Sequence, residues 1–189
     1  SKRVSGFSAK QIFSLVDTLA LLARNDLSVR TNTQAETKSV AEVTTSSPEA
    51  YRSYIEGKVQ LGKLAGAEAR ISFNRAIELD SNFAMAYFEL AHLISWDPVG
   101  QKTAILQALK FSENIAERER LRIQSYYALQ IEHDASKACG ILETIVDKYP
   151  HEQGAYFELG LDYERMGQHE KAMQTYLKGL RSDSLDKTL

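Results

Sequence analysis

The chain has 189 residues, of which 43% are hydrophobic and 25% charged, and its net charge is −2. That composition is ordinary for a globular protein and the length suffices to bury a real core. The net charge argues against a nucleic-acid partner held by phosphate contacts, which needs a concentrated basic surface, and no apolar run approaches the ~20 residues that cross a bilayer.

The amino terminus, Ser1 to Phe7, has a basic start but no apolar segment followed by a small-residue cleavage site, so it reads as the cut edge of a longer protein. From about Ser8 to Arg24, Ile12, Leu15, Val16, Leu19 and Leu22 fall on one stripe, which predicts an amphipathic helix. Burying such side chains is worth ~1.5–3 kcal/mol each, so the stripe needs a cover. It caps the first hairpin, lies in a groove of its own or another chain, or packs on a domain outside this chain. Residues 28–47 are rich in Thr, Ser, Asn and Gln and predict a linker. The expected division is therefore an amino-terminal helix and linker over 1–48, then a helical region over 49–189.

Ser47 followed by Pro48 and Glu49 is a helix start: a hydroxyl cap, then proline at the first helical position. Segments beginning at Ala50, Ala84, Glu119 and Gln153 then line up with offsets of 34, 35 and 34 residues. The first carries Gly57, Ala69, Phe73 and Ala76. The second keeps Tyr87, Leu90 and Ala91, with one extra residue near Trp96 and a second start signal at Asp97-Pro98. The third is weakest at its start, but Ala138, Leu142 and Tyr149-Pro150 restore the register. The last is clearest, with Tyr156, Leu159, Gly160 and Tyr163, a turn at Gly167, then Ala172 and Tyr176. Small residues let two helices approach closely, and aromatic ones fill the space between neighbouring hairpins.

On these residues, 50–183 resemble the tetratricopeptide repeat family, whose repeats of this period are each a helix, a turn and a helix. The resemblance implies an all-α fold, a right-handed superhelical array of helix-turn-helix hairpins. The four repeats are expected at 50–83, 84–118, 119–152 and 153–186. The string Ser-Val-Ala-Glu-Val-Thr-Thr-Ser-Ser-Pro-Glu-Ala-Tyr at 39–51 is similar to the entry to the repeats in a narrower, bacterial group. The stretch Ile-Phe-Ser-Leu-Val-Asp at 12–17 and the run at 117–123 are also similar to that group. There a domain similar to the amino-terminal domain of TolB precedes the repeats, often within larger signalling chains.

In the family the groove is lined by the second, fifth, ninth and twelfth sites of each repeat, which here supply Tyr51, Met85, Arg120 and Glu164 among others. The expected peptide-binding residues are Tyr54, Lys58, Phe88, His92, Ile123, Tyr127, Phe157 and Leu161. Such a lining suits an extended peptide or an amphipathic helix with apolar anchors. The chaperone-docking branch of the family clamps a carboxylate with lysine, asparagine and arginine. This chain has Tyr54 and Lys58 where the first lysine and an asparagine would stand, so that ligand is not expected.

Catalytic and metal constellations are missing from the sequence. His92, His133, His151 and His169 show no His-x-x-x-His spacing, and Cys139 is the only cysteine. The run Leu-Gly-Lys-Leu-Ala-Gly at 61–66 lacks the ending of a phosphate loop. The expectation is a non-enzymatic, cytoplasmic scaffold with no cofactor, binding a protein or peptide. The competing readings are a regulatory region of a signalling or transcription-related protein, and a homodimer formed through the array's uncapped ends or the amino-terminal helix.

Overall fold

The structure is a computed structural model and describes residues 45–184. The helix predicted at 8–24 and most of the linker predicted at 28–47 lie outside the described residues. Among the described residues there is no strand, and eight α-helices follow one another. They are α1 (Pro48–Gly62), α2 (Gly66–Leu79), α3 (Ala84–Leu93), α4 (Pro98–Lys110), α5 (Glu117–Gln130), α6 (Ala135–Lys148), α7 (Gln153–Arg165) and α8 (His169–Ser184). A 3₁₀ turn, Ser112–Asn114, joins α4 to α5. Consecutive helices pack pairwise, so the fold is all-α, an array of helix-turn-helix hairpins. None of these helices is long and apolar enough to cross a membrane.

Local chemistry sets the helix starts. The Ser47 hydroxyl accepts from the Ala50 amide at 3.1 Å, with Pro48 in the first turn. Asp97 does the same for α4 through the Gly100 amide at 3.0 Å, and Asp134 for α6 through Lys137 at 2.8 Å. Each cap satisfies an amide that the helix leaves without a partner.

The chain divides after Phe83 into two compact units. In the first, α1 and α2 close on Phe73, which is fully buried; a Cβ on Gly57 would come within 2.5 Å of its ring. Tyr54 packs on Phe73 and Phe83, with centroids 5.7 and 5.0 Å away, and the Thr45 hydroxyl donates to the Asp80 carboxylate.

The second unit stacks three hairpins, with α4 on α5 and α6 on α7. One apolar cluster joins Cys139, Leu142 and Ile145 of α6 to Ala155, Leu159 and Tyr163 of α7 and Ala172 of α8. A Cβ on Gly160 would overlap the Tyr176 ring, so glycine is what lets α7 and α8 meet there. Arg118–Glu152 at 2.9 Å and Arg122–Glu158 at 2.7 Å tie the middle hairpin to the last. Each large apolar side chain buried is worth ~1.5–3 kcal/mol and the cluster holds several, so the apolar cluster holds the stack and the ion pairs add to it.

The hairpin α5/α6 departs from its neighbours at its turn. In the first and last hairpins the residue before the second helix bonds back five residues, Ala65 to Gln60 and Gln168 to Tyr163. In the third, the Asp134 amide reaches six residues back to Ala128. The turn holds one more residue, and His133 adopts a φ of 57° within it. Relative to α6, α5 is therefore displaced by one residue.

Candidate functional site

The first helices of the three stacked hairpins meet at a cleft of ≈ 240 Å³. His92 comes from α3, and Ser125, Tyr126, Leu129 and Gln130 come from α5. The last hairpin supplies Phe157, Glu158, Leu161, Asp162 and Arg165 from α7, and Leu142 of α6 completes the lining. Small-molecule pockets run to roughly 300–1,000 Å³, so this volume falls just below that range and is of the order of one large side chain.

The wall between α3 and α5 is aromatic. The His92 ring stacks on Tyr126 with centroids 3.8 Å apart, and Phe88 stands in T-shaped contact with both rings, its centroid 4.5 and 5.7 Å away. His92 Nδ1 donates to the Phe88 carbonyl at 3.0 Å. Tyr126 is fixed from behind, because Gln101 Nε2 donates to its hydroxyl at 3.0 Å and also to the Ala91 carbonyl at 3.3 Å. Arg122 covers the outer face of Phe88 at 5.2 Å while its guanidinium donates to Glu158.

The electrostatics follow from packing. His92 is exposed at the surface, yet the side chains crowded around its ring push its pKa below the ordinary histidine value. Burial raises the pKa of the Tyr126 phenol and of the Asp162 carboxyl, the latter against the pull of Arg165, which donates to it. Burial opposes the Arg122 charge most, but Glu158, Glu89 and Glu152 together outweigh it and raise the guanidinium pKa. The two carboxylates at the cleft, Glu158 and Asp162, are thus each matched by an arginine.

Of the residues predicted from sequence, the structure brings His92, Phe157 and Leu161 together at this cleft. Phe157 is 59% exposed and offers its ring to solvent. Phe88 is only 2% exposed and Ile123 only 1%, so both belong to the packing under the surface. Tyr127 lies against the cluster of Ala91, Ala104 and Ile105 instead of the cleft. Tyr54 and Lys58 sit on α1 of the first unit, half-buried and exposed respectively.

The displacement of α5 explains the third hairpin. One added residue in the turn moves Tyr126 to the place that Leu161 holds in the last hairpin, and Arg122 to the place of Phe157. Ser125 then stands where Gly160 does and is 3% exposed. Ser125, Tyr126, Leu129 and Gln130 of α5 and Glu158, Asp162 and Arg165 of α7 are the lining residues that the sequence reading passes over. The positive φ of His133 is shared by Leu64 and Gly167 in the turns of the first and last hairpins, so it marks the turn but not the added residue, and the shift leaves no local signal in the sequence. Among the described residues, no group of three His, Cys, Asp or Glu side chains gathers closely enough to hold a metal ion.

Comparison with known proteins covers the last hairpin most directly. Residues 154–184 match the tetratricopeptide repeat model. A crystal structure of MamA is 19% identical, covering 76% of this chain and 84% of that one, with a TM-score of 0.45. A structure of YrrB, a TPR protein with an unusual peptide-binding site, is 17% identical, covering 71% and 69%, with a TM-score of 0.43. No protein of curated function matches the chain.

Proposed function

From a chain whose last hairpin matches the tetratricopeptide repeat, we propose a non-enzymatic scaffold that holds a polypeptide segment by an apolar side chain seated in the cleft of α3, α5 and α7. The observation that carries this is the cleft itself. It is sized for one side chain, walled by His92 and Tyr126, and flanked by the exposed ring of Phe157. Burying one large apolar side chain is worth ~1.5–3 kcal/mol, so further contacts along the inner face supply the remaining affinity. Selecting binders from a displayed random-peptide library and retesting them on Leu161→Glu is the direct experiment. Binding weakened at least tenfold, with the helical content unchanged, supports the reading. Undiminished binding refutes it.

A second reading, self-association, has its own observation. The outward face of α8 presents Met173, Leu177 and Leu180 at 57%, 44% and 72% exposure. Met173 and Leu180 stand one repeat after Cys139 and Val146, which pack in the cluster shared by α6 and α7. Sedimentation equilibrium of the wild type and of Leu177→Glu decides it: a dimer lost in the variant favours a homodimer, and a monomer throughout removes it.

A further inference from the structure

Resting on the cleft reading above, we propose that the side chain accepted by the cleft is an aromatic ring carrying a hydrogen-bond donor, a tryptophan or tyrosine of a partner polypeptide, and that His92 Nε2 receives that donor. The ring is called for by shape and by the walls. Tyr126, His92 and Phe157 present aromatic surfaces around a volume of ≈ 240 Å³, and such rings favour offset or edge-on packing with another ring. The donor is called for by charge complementarity. His92 Nδ1 is committed to the Phe88 carbonyl, which makes Nε2 the acceptor of a neutral imidazole. Among the described residues Nε2 has no hydrogen-bond partner.

The charged groups of the cleft argue against a charged anchor. Glu158 is bonded to Arg122 and Asp162 to Arg165, so the two carboxylates are neutralised and an incoming ammonium finds no uncompensated partner. An incoming carboxylate would meet Arg165, but that side chain is 53% exposed and already paired, so it stands in water at the rim. A neutral donor on an apolar body is the complement that remains. Buried indole N–H and phenol O–H groups normally find such an acceptor.

The test uses the full chain and blocked amino acids as probes, read by amide shifts of residues 125–130 and 157–165. N-acetyl-tryptophanamide and N-acetyl-tyrosinamide are expected to bind about 3- to 10-fold more tightly than N-acetyl-phenylalaninamide, the worth of one net hydrogen bond. The indole N-methylated tryptophan derivative loses that advantage. His92→Phe keeps a ring against Tyr126 but removes the acceptor, so within that variant the tryptophan and tyrosine probes lose their advantage over the phenylalanine probe. Equal binding by all aromatic probes, or tighter binding by N-acetyl-glutamine's acidic counterpart, N-acetyl-glutamate amide, overturns the donor assignment. If those probes still lose binding with Leu161→Glu, the cleft reading survives. Probes that shift none of these amides overturn both. Dilution-dependent shifts that vanish in Trp96→Phe would put the exposed tryptophan of a second copy in the cleft and overturn the assignment to a different polypeptide.

Discussion

The imidazole of His92 on α3 lies nearly flat on the phenol ring of Tyr126 on α5, with 3.8 Å between centroids and 19° between planes. Two hairpins are joined there by a polar-tipped aromatic pair rather than by aliphatic packing alone. The pair is a structural joint and a wall of the cleft at once, so a change at either ring reaches both stability and binding.

The His92 pKa is held below the ordinary value of 6.5, chiefly by desolvation from the side chains packed around its ring, with Arg122 acting in the same direction and the Phe88 carbonyl, Glu158 and Glu89 opposing. A folded-state pKa below the unfolded one means that the folded chain resists protonation. The stabilisation is full above the ordinary value and is lost as pH falls through it towards the folded pKa. Urea midpoints measured between pH 7.5 and pH 5 should decline more for the wild type than for His92→Gln. Parallel curves would remove His92 as the cause.

Gly160→Ala should destabilise the last hairpin by about 1–3 kcal/mol, because the added methyl overlaps the Tyr176 ring and the helices must part. Replacing Gly140, which meets nothing, should raise stability slightly through helix propensity. Thermal unfolding of the two variants should move the melting temperature in opposite directions.

Leu64 holds a φ of 59° at 94% exposure, and His133 a φ of 57°, both in hairpin turns. Left-handed backbone costs a side-chain-bearing residue about 1–2 kcal/mol, partly offset by glycine's freer unfolded chain. Leu64→Gly and His133→Gly are each expected to gain about 0.5–1 kcal/mol in denaturant titrations. Loss of stability in both would contradict the backbone assignment.

Arg122 and Arg75 make ion pairs of unlike worth. Arg122 is largely enclosed between Phe88 and Glu158, whereas Arg75–Glu78 is 60% and 65% exposed. Arg122→Ala strands the Glu158 carboxylate and uncovers Phe88, at a cost of about 1–3 kcal/mol, while Arg75→Ala should stay within about 0.5 kcal/mol. Chemical unfolding of both variants checks the contrast.

Much of the fold was legible because caps and close approaches leave marks on the sequence. Ser47-Pro48 and Asp97-Pro98 announce their helices, and Gly57 and Gly160 each precede by 16 residues the ring they admit. The site was less legible for two reasons. A single added turn residue shifted α5, which turned Tyr127 and Ile123 inward and put Tyr126 at the cleft. Phe88 stands at a groove-type position, but Arg122 and the His92–Tyr126 pair cover it, a fact of three-dimensional contact that spacing does not encode.

Hydrogen exchange on the full chain, with and without a saturating library-selected peptide, tests the binding cleft most directly. Peptide binding is predicted to slow exchange at 88–92, 125–130 and 157–165 and to leave α2 and the outward face of α8 unchanged. Protection confined to α8 or to the first unit, with the cleft amides unaffected, would contradict it.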